Sequence, residues 1–322
     1  MSAERHGEAT AFDALAGLVA AGEVAVLSGA GLSTESGIPD YRGSGGSLRR
    51  NTPMTYQEFV TDPHGRQRYW ARSVVGWHRI RSALPNAGHR AVAALEHHGL
   101  LSGIVTQNVD GLHQASGARH VIELHGGLDR VVCLACHART TRAELDRRLR
   151  DANPGWVERT TDVLRHTANA DGDAELPDDA VSGFVVVPCD ACGGVLKPDV
   201  VFFGEAVQPA LVAASYALVE RSSALVVLGS SLTVMSGRRF VLRAAKLGLP
   251  VAIVNRGETR ADGYATLRID APLGPTLTRL AGAAGPVGPV GQVVEAERVV
   301  EAERVVGPDR VIGPDRVIGP DR

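Results

Sequence analysis

Short apolar runs that alternate with helical stretches are the feature that most restricts how this chain can fold. Six runs have the length and composition of buried β-strands: Glu23–Leu27, Gly103–Thr106, Val121–Leu124, Ala224–Leu228, Val251–Val254 and Ala265–Ile269. Helical patterns lie before or between them, at Ala11–Ala21, His89–His98 and Pro209–Arg221. Parallel strands need crossover helices, and these helices cover both faces of the sheet. The order therefore predicts an α/β fold, with a doubly wound parallel sheet in a Rossmann-like domain.

The four cysteines form two Cys-x-x-Cys pairs, Cys133 with Cys136 and Cys189 with Cys192. Four thiolates are the ligand set of a structural zinc site, and the filled coordination sphere leaves no position for catalysis. The gap between the pairs is longer than in a simple zinc ribbon. We therefore expect one structural zinc ion that holds a small module together.

Two segments interrupt the alternation of strands and helices. Residues 51–85 contain a helical stretch without strands, and residues 126–195 contain the cysteine pairs and a polar, aspartate-rich middle. We expect them to form a smaller helical and zinc-binding module inserted into the Rossmann-like domain. That domain would comprise residues 1–50, 86–125 and 196–285, and a chain of 322 residues is long enough for both.

The C-terminal segment, residues 286–322, is low in complexity. From Val293 onward, units of six residues repeat, each ends in arginine, and the later units carry Gly-Pro. Proline and glycine in every sixth position forbid a long helix, and the period is too short for a helical solenoid. We expect a disordered tail without chemistry of its own.

Charge and hydropathy argue against two classes of partner. The net charge is −2 and the basic residues form no stripe, which argues against nucleic acid. The apolar stretch Phe12–Leu27 is interrupted by Asp13 and Glu23, so it cannot cross a bilayer cheaply. With no secretory signal visible, we expect a cytoplasmic monomer that does not bind membranes.

Glycines and small polar residues follow several predicted strands. The segments are Ser28–Ser33, Thr106–His113, Gly229–Ser231 and Asn255–Gly257. In a parallel sheet these segments meet at the carboxyl edge, where ligands bind. Glycines let the backbone approach a diphosphate, and the next helix offers its N–H groups. Thr34 stands where a dinucleotide fingerprint has a third glycine. Taken alone, Asn108 or Asp110 is more often a helix N-cap than a ligand contact.

Taken together, the motifs resemble those of sirtuins, in the order that this family shows. They are GAGLSTESGIPDYRG (Gly29–Gly43), TQNVDGLH (Thr106–His113), ELHGG (Glu123–Gly127), the two cysteine pairs, LKPDVVFFGE (Leu196–Glu205), GSSLTV (Gly229–Val234) and VNRG (Val254–Gly257). The match spans Ala11 to Leu280. Three details are similar to the class II type, which includes bacterial enzymes and a mitochondrial sirtuin: Tyr41, DGDAEL (Asp171–Leu176) and SLTVMSG (Ser231–Gly237).

The resemblance implies an NAD-dependent protein lysine deacetylase or deacylase that transfers the acyl group to ADP-ribose and releases nicotinamide. NAD would bind between the Rossmann-like domain and the small module. The implied contacts are Gly29, Ala30, Gly31 and Ser33 for the diphosphate; Asp40, Tyr41 and Arg42 in a closing loop; Gln107, Asn108, Val109 and Asp110 around the nicotinamide ribose; and Gly229, Ser230, Ser231, Asn255, Arg256, Gly257 and Leu273 near the adenosine. Leu273 would lie in the loop after the last strand and touch the adenine through its backbone.

His125 is expected to be the catalytic base, with Asn108 and Asp110 as further catalytic residues. In this chemistry the bond to nicotinamide breaks, the acyl oxygen attacks the ribose carbon, and a base removes a proton from a ribose hydroxyl. Imidazole suits that role near neutral pH because its ordinary pKa is about 6.5. A lone histidine is more often structural, but its place in the family's His-Gly motif reverses that expectation.

The acylated lysine of another protein is the expected substrate. By resemblance, the segment Val201, Phe202, Phe203, Gly204 and Glu205 pairs with the substrate peptide as an added strand. The same run could equally be a buried strand. Tyr69 and Arg72, three apart on a helix, are similar to a pair that reads acidic acyl chains in some sirtuins, although an ordinary amphipathic helix explains them as well. Acetyl-lysine is the leading substrate.

Three other functions compete with deacylation. Mono-ADP-ribosyl transfer or NAD hydrolysis would use the same cofactor site. An NAD- or ADP-ribose-sensing scaffold would not need His125, Asn108 and Asp110. A generic zinc-containing Rossmann dehydrogenase does not fit the missing third glycine or the all-cysteine metal site.

Overall fold

The computed structural model describes residues 2–41, 53–156, 158–160 and 181–285. The helices in these ranges are α1 (Ser2–Ala20), α2 (Tyr56–Thr61), α3 (Pro63–Ser82), α4 (Ala87–His97), α5 (Leu112–Ala115), α6 (Arg142–Ala152), α7 (Pro209–Glu220), α8 (Met235–Lys246) and α9 (Leu273–Ala283). The strands are β1 (Val24–Ser28), β2 (Leu101–Thr106), β3 (Val121–Glu123), β4 (Gly126–Cys133), β5 (Arg139–Thr141), β6 (Leu196–Val200), β7 (Ala224–Leu228), β8 (Val251–Val254) and β9 (Leu267–Ile269).

Six strands form a parallel sheet in the order β3-β2-β1-β7-β8-β9. Every residue of β1, β7 and β8 is buried, because helices cover both faces. Phe12 and Leu15 of α1 pack in the core on one face, and Phe240 and Val241 of α8 pack in the core on the other. The predicted doubly wound α/β fold is confirmed. Strand order reverses at β1, which lies between β2 and β7, and such a switch point opens a crevice beyond the carboxyl ends of the strands.

Several predicted boundaries shift, and one predicted helix is absent. The first helix begins at Ser2, well before Ala11, and β1 begins one residue after Glu23. In residues 29–41, the part of the segment after β1 that the structure describes, no α-helix follows the glycine turn. Two short 3-10 turns, Ala30–Leu32 and Thr34–Ser36, take its place, and Gly37 ends the second at a φ of 82°. The expectation that a helix N-terminus offers its N–H groups here is therefore wrong.

A second sheet contains three antiparallel strands in the order β5-β4-β6. Its core joins Phe59 and Trp70, from α2 and α3, to Val131 and Leu145, from β4 and α6. The two segments assigned to the small module thus share one core. Strand β6 also belongs to this sheet, although the partition by sequence assigns residues 196–285 to the larger domain. The domain boundaries stay a prediction.

The predicted disordered tail, residues 286–322, and the DGDAEL motif lie outside the described residues. Among the helices of the described ranges, none combines the length and hydropathy needed to cross a membrane.

Candidate active site

A cleft of about 560 Å³ opens at the carboxyl edge of the large sheet. Most of the predicted cofactor and substrate residues line it: Gly29, Ala30, Gly31, Asp40, Tyr41, Gln107, Asn108, Val109, His125, Val201, Phe202, Phe203, Gly204, Glu205, Gly229, Ser230, Ser231, Asn255 and Arg256. Ser33 and Asp110 line a smaller cavity that shares Ala30, Tyr41 and Asn108 with the cleft. A volume of this size suits a cofactor together with part of a second substrate.

Three predicted contacts are not placed at either cavity by the described residues. Arg42 is outside the described residues. Gly257 and Leu273 do not line either cavity formed by the described residues. Leu273 is the first residue of α9 rather than a loop residue, and its buried side chain packs in the sheet core. The expectation of a loop at Leu273 is wrong, because only three residues separate β9 from the last helix.

Glycines bring two strand-end loops into direct contact at this edge. The Gly31 N–H donates to the Gly229 carbonyl at 2.9 Å. A Cβ on Gly29 would lie 2.8 Å from the Gly229 oxygen, and a Cβ on Gly31 would lie 2.9 Å from the Gly229 Cα. Side chains at these positions would push the loops apart. The floor of the cleft is therefore bare backbone, a cradle that fits a diphosphate.

Asn108 joins the two loops that follow β1 and β2. Its buried amide Nδ2 donates to the Gly29 carbonyl and to Ser33 Oγ, both at 3.1 Å. The Ser33 hydroxyl in turn donates to Asp110 Oδ2 at 2.6 Å. Asp110 accepts the Leu112 N–H through its other oxygen at 2.9 Å, but the N-cap of α5 is Gly111, so neither Asn108 nor Asp110 is an N-cap. Asp110 therefore binds the backbone at the start of α5 and also lines the smaller cavity.

His125 lies two residues after the end of β3, and both of its ring nitrogens have hydrogen-bond partners. Nδ1 lies 2.9 Å from the Gln107 carbonyl oxygen, and Nε2 lies 2.9 Å from Ser236 Oγ. A carbonyl can only accept, so Nδ1 carries the proton and the neutral ring keeps its lone pair on Nε2. Burial lowers the pKa of His125 below its ordinary 6.5, and the bond to Gln107 opposes part of that shift. The ring is therefore a neutral base at pH 7.

Ser236, in the first turn of α8, is a site residue that the sequence analysis missed. It is the last residue but one of the quoted SLTVMSG motif, which is the only sequence signal near it. Its neighbour Gly237 leaves room for the Gln107 side chain, because a Cβ there would overlap Gln107 Oε1. Gln107 Nε2 donates to Ser230 Oγ at 2.9 Å. The start of α8 thus packs on the residues that hold His125.

The segment after β6 runs along the cleft and is tied to the histidine. The Val201 N–H donates to the His125 carbonyl at 2.9 Å, and the Phe203 carbonyl accepts the Tyr56 N–H at 2.9 Å. Val200 ends the strand and is buried, whereas Val201 to Phe203 are half-buried, and all four residues line the cleft. The run VVFF therefore contains both a core residue and cleft residues.

The four cysteines converge at one end of the smaller sheet. Their sulfur atoms all lie within 4.8 Å of one another. Cys133 Sγ lies 3.5 Å from Cys192 Sγ, and Cys136 Sγ lies 3.8 Å from Cys189 Sγ. Zinc–sulfur bonds of about 2.3 Å in a tetrahedron place the sulfurs roughly 3.8 Å apart. The donor set and its spacing thus fit a zinc ion.

The long gap between the pairs closes through the β4–β6 ladder. Cys133 at the end of β4 pairs with Leu196 at the start of β6, so the two Cys-x-x-Cys turns lie side by side. Gly194 permits this approach, because a Cβ there would stand 3.0 Å from Cys133 Sγ and 3.1 Å from Cys192 Sγ. Strand pairing, rather than loop length, sets the geometry of the site.

Comparison with known proteins shows the same pattern along the chain. Residues 29–236 match the Sir2 family. A protein from Streptomyces coelicolor named NAD-dependent protein deacetylase 1 is 59% identical over 265 residues, which are 82% of this chain and 87% of the relative. A protein of the same name from Mycobacterium avium is 50% identical over 273 residues, covering 85% of this chain and 95% of the relative.

Solved structures agree with the sequence relatives. A Sir2 enzyme with a deacetylated p53 peptide and 3′-O-acetyl-ADP-ribose superposes with a TM-score of 0.67 at 28% identity, covering 84% of this chain and 97% of that chain. A Sir2 complex with a p53 peptide and NAD has a TM-score of 0.61 at 30% identity, covering 80% and 92%.

Removal of the metal tests the structural role of the cysteine cluster. We expect chelation to unfold the small module and to lower activity, because binding energy at such a site is folding energy. Hydrogen exchange should rise across β4, β5 and β6 while the large sheet stays protected, and added zinc should restore both. A Cys189→Ser variant should reproduce the loss. Metal-free protein with full activity and unchanged exchange would contradict the assignment.

Proposed function

The chain belongs to the Sir2 family, and on this basis we propose that it is an NAD-dependent protein lysine deacetylase. It transfers the acyl group of a lysine side chain to ADP-ribose and releases nicotinamide. The deacetylases from Streptomyces coelicolor and Mycobacterium avium support this proposal, as do the Sir2 complexes with peptide and acetyl-ADP-ribose. One observation carries it: His125 presents an unprotonated nitrogen in the cleft that the glycine loops and the segment after β6 also line.

NAD supplies a ribose carbon that becomes positively charged as its bond to nicotinamide breaks, so that the weakly nucleophilic acyl oxygen can attack it. The glycine loops after β1 and β7 would hold its diphosphate. Ser230, Ser231 and Asn255, which follow β7 and β8, line the part of the cleft proposed for the adenosine. Gly257 and Leu273 line neither cavity, so they contribute little to this proposal.

His125 acts as the general base on a ribose hydroxyl. The Gln107 carbonyl fixes the tautomer, so Nε2 is the nitrogen that accepts the proton. A pKa lowered by burial keeps that nitrogen unprotonated at neutral pH. In this structure Nε2 is hydrogen-bonded to Ser236 Oγ, and the ribose hydroxyl must replace that partner when the cofactor binds.

Asn108 and Asp110 prepare the nicotinamide end of the site. The Asn108 amide locks the loop after β1 to the loop after β2, and Asp110 receives the Ser33 hydroxyl. Both residues line the smaller cavity. Gln107, whose backbone carbonyl binds His125, lines it too. Fixed dipoles around a cavity of this kind favour positive charge on the sugar without needing to rearrange during the reaction.

Acylated lysines of other proteins are the substrates, and the peptide adds as a strand along Val201–Glu205. Tyr69, Phe202 and Phe203 line the cleft and give the acyl chain an apolar environment. The four thiolates hold zinc and leave it no open coordination position, so the metal is structural. The cytoplasmic location, the monomeric state and the lack of nucleic-acid partners stay predictions from the sequence.

Replacement of the base is the most direct test of this function. We expect His125→Ala to lower turnover by about 10²–10⁴-fold, the contribution of a positioned acid–base group. NAD binding and thermal stability should stay close to those of the unchanged protein. Mass spectrometry of nicotinamide and O-acetyl-ADP-ribose measures the reaction, and His64→Ala, at an exposed histidine of α3, is the control. Full deacetylation by His125→Ala would refute the role of His125.

The choice of acyl group can be tested at α3. We expect acetyl-peptides to react faster than succinyl-peptides. Tyr69 lines the cleft, whereas Arg72 is not among the described residues that line it. Arg72→Ala should therefore leave the ratio of the two rates unchanged. A preference for succinyl-peptides that disappears in Arg72→Ala would show instead that the arginine reads an acidic chain.

A further inference from the structure

Lys197 is a buried charge for which the proposed chemistry has no use. It lies in β6 and is 3% exposed. It is also one of only two lysines in a chain with 34 lysines and arginines in total. Burial lowers its pKa, and the carboxylate of Glu205 opposes that shift. An isolated charge is costly to bury, so its partners must compensate for the lost hydration.

Three oxygen atoms surround the ammonium group. Nζ lies 3.1 Å from Glu205 Oε2 and 3.2 Å from the Pro198 carbonyl, and it also donates to the Val200 carbonyl. The ring of Phe202 lies 4.7 Å from Nζ, close enough for a cation–π contact. An ammonium has three donors on a compact group, which matches this set, whereas a planar guanidinium fork does not. This geometry accounts for a lysine at this position in a chain whose other basic residues, apart from Lys246, are arginines.

The partners of Lys197 lie in or next to the segment proposed to receive the peptide. Glu205 Oε2 also accepts the Phe202 N–H at 2.8 Å, and the Glu205 N–H donates to the Phe202 carbonyl at 3.0 Å. Lys197 and Glu205 therefore fix the turn from Val200 to Glu205 from within. The bond from Val201 to the His125 carbonyl fixes the same turn against the histidine.

We propose that Lys197 is a positioning residue for the acyl-peptide: its ion pair with Glu205 holds the Val200–Glu205 turn in the conformation to which the substrate adds as a strand. The inference rests on the proposed function. It assigns to Lys197 an effect on peptide affinity and none on NAD affinity or on the strength of the base. Replacing a lysine that only stabilised the fold would instead weaken peptide binding, NAD binding and catalysis together.

The test measures peptide affinity apart from turnover. A fluorescent acetyl-peptide is titrated by anisotropy into His125→Ala protein with NAD present, with and without Lys197→Met. We expect Lys197→Met to weaken peptide binding about tenfold or more, and in the active enzyme to raise the peptide KM by a similar factor. NAD affinity and the pH dependence of kcat should not move. Lys246→Met, at the exposed second lysine, should change nothing.

Lys197→Arg provides a second reading that keeps the positive charge. We expect it to fold and still to lose peptide affinity, because the guanidinium cannot reproduce the three bonds; it decides the question if Lys197→Met does not fold. A folded variant that binds peptide as well as the unchanged protein would overturn the inference. Protein with intact Lys197 that binds no acetyl-peptide would instead contradict the proposed function.

Discussion

The hydrogen bond from His125 to the Gln107 carbonyl is the interaction on which the account depends. It joins the segment after β3 to the segment after β2, and it decides which ring nitrogen is free to accept a proton. Because the partner is backbone, the tautomer is set by the fold of the sheet edge rather than by another titratable group. The same residue, Gln107, reaches Ser230 after β7 with its side chain. Gln107 therefore links His125, the proposed base, to the loop after β7 on the other side of the cleft.

Two further constraints position the segment that we propose to bind the peptide. The β4–β6 ladder aligns the cysteine turns, and the continuation of β6 passes into the cleft. The cysteine cluster and the proposed substrate segment thus lie at opposite ends of β6. The ion pair of Lys197 with Glu205 stabilises the end near the cleft. In our proposal, the metal site, strand β6 and the ion pair of Lys197 together place a peptide beside His125, which follows a strand of the larger sheet.

The sequence predicted what depends on local pattern and on the geometry of parallel sheets. Buried apolar runs predict the strands of the large sheet, and because strand ends in one parallel sheet share one edge, they also predict that Gly29, Asn108, His125 and Ser230 lie close together. The features that the sequence did not predict depend on packing between segments that are distant in the chain. The glycine loops pack on each other, and 3-10 turns replace the expected helix. The sequence of β6, which is only five residues long, does not indicate which of the two sheets the strand joins. Ser236 and Lys197 gain their roles only from neighbours in space.

The most direct measurement is a crystal structure of the protein with NAD and an acetyl-lysine peptide. The account predicts His125 Nε2 within hydrogen-bond distance of a ribose hydroxyl, about 3 Å, in the position that Ser236 Oγ occupies here. It also predicts that Nδ1 remains on the Gln107 carbonyl. An imidazole that points away from the sugar, with both hydroxyls beyond the reach of Nε2, would contradict the assignment of the base.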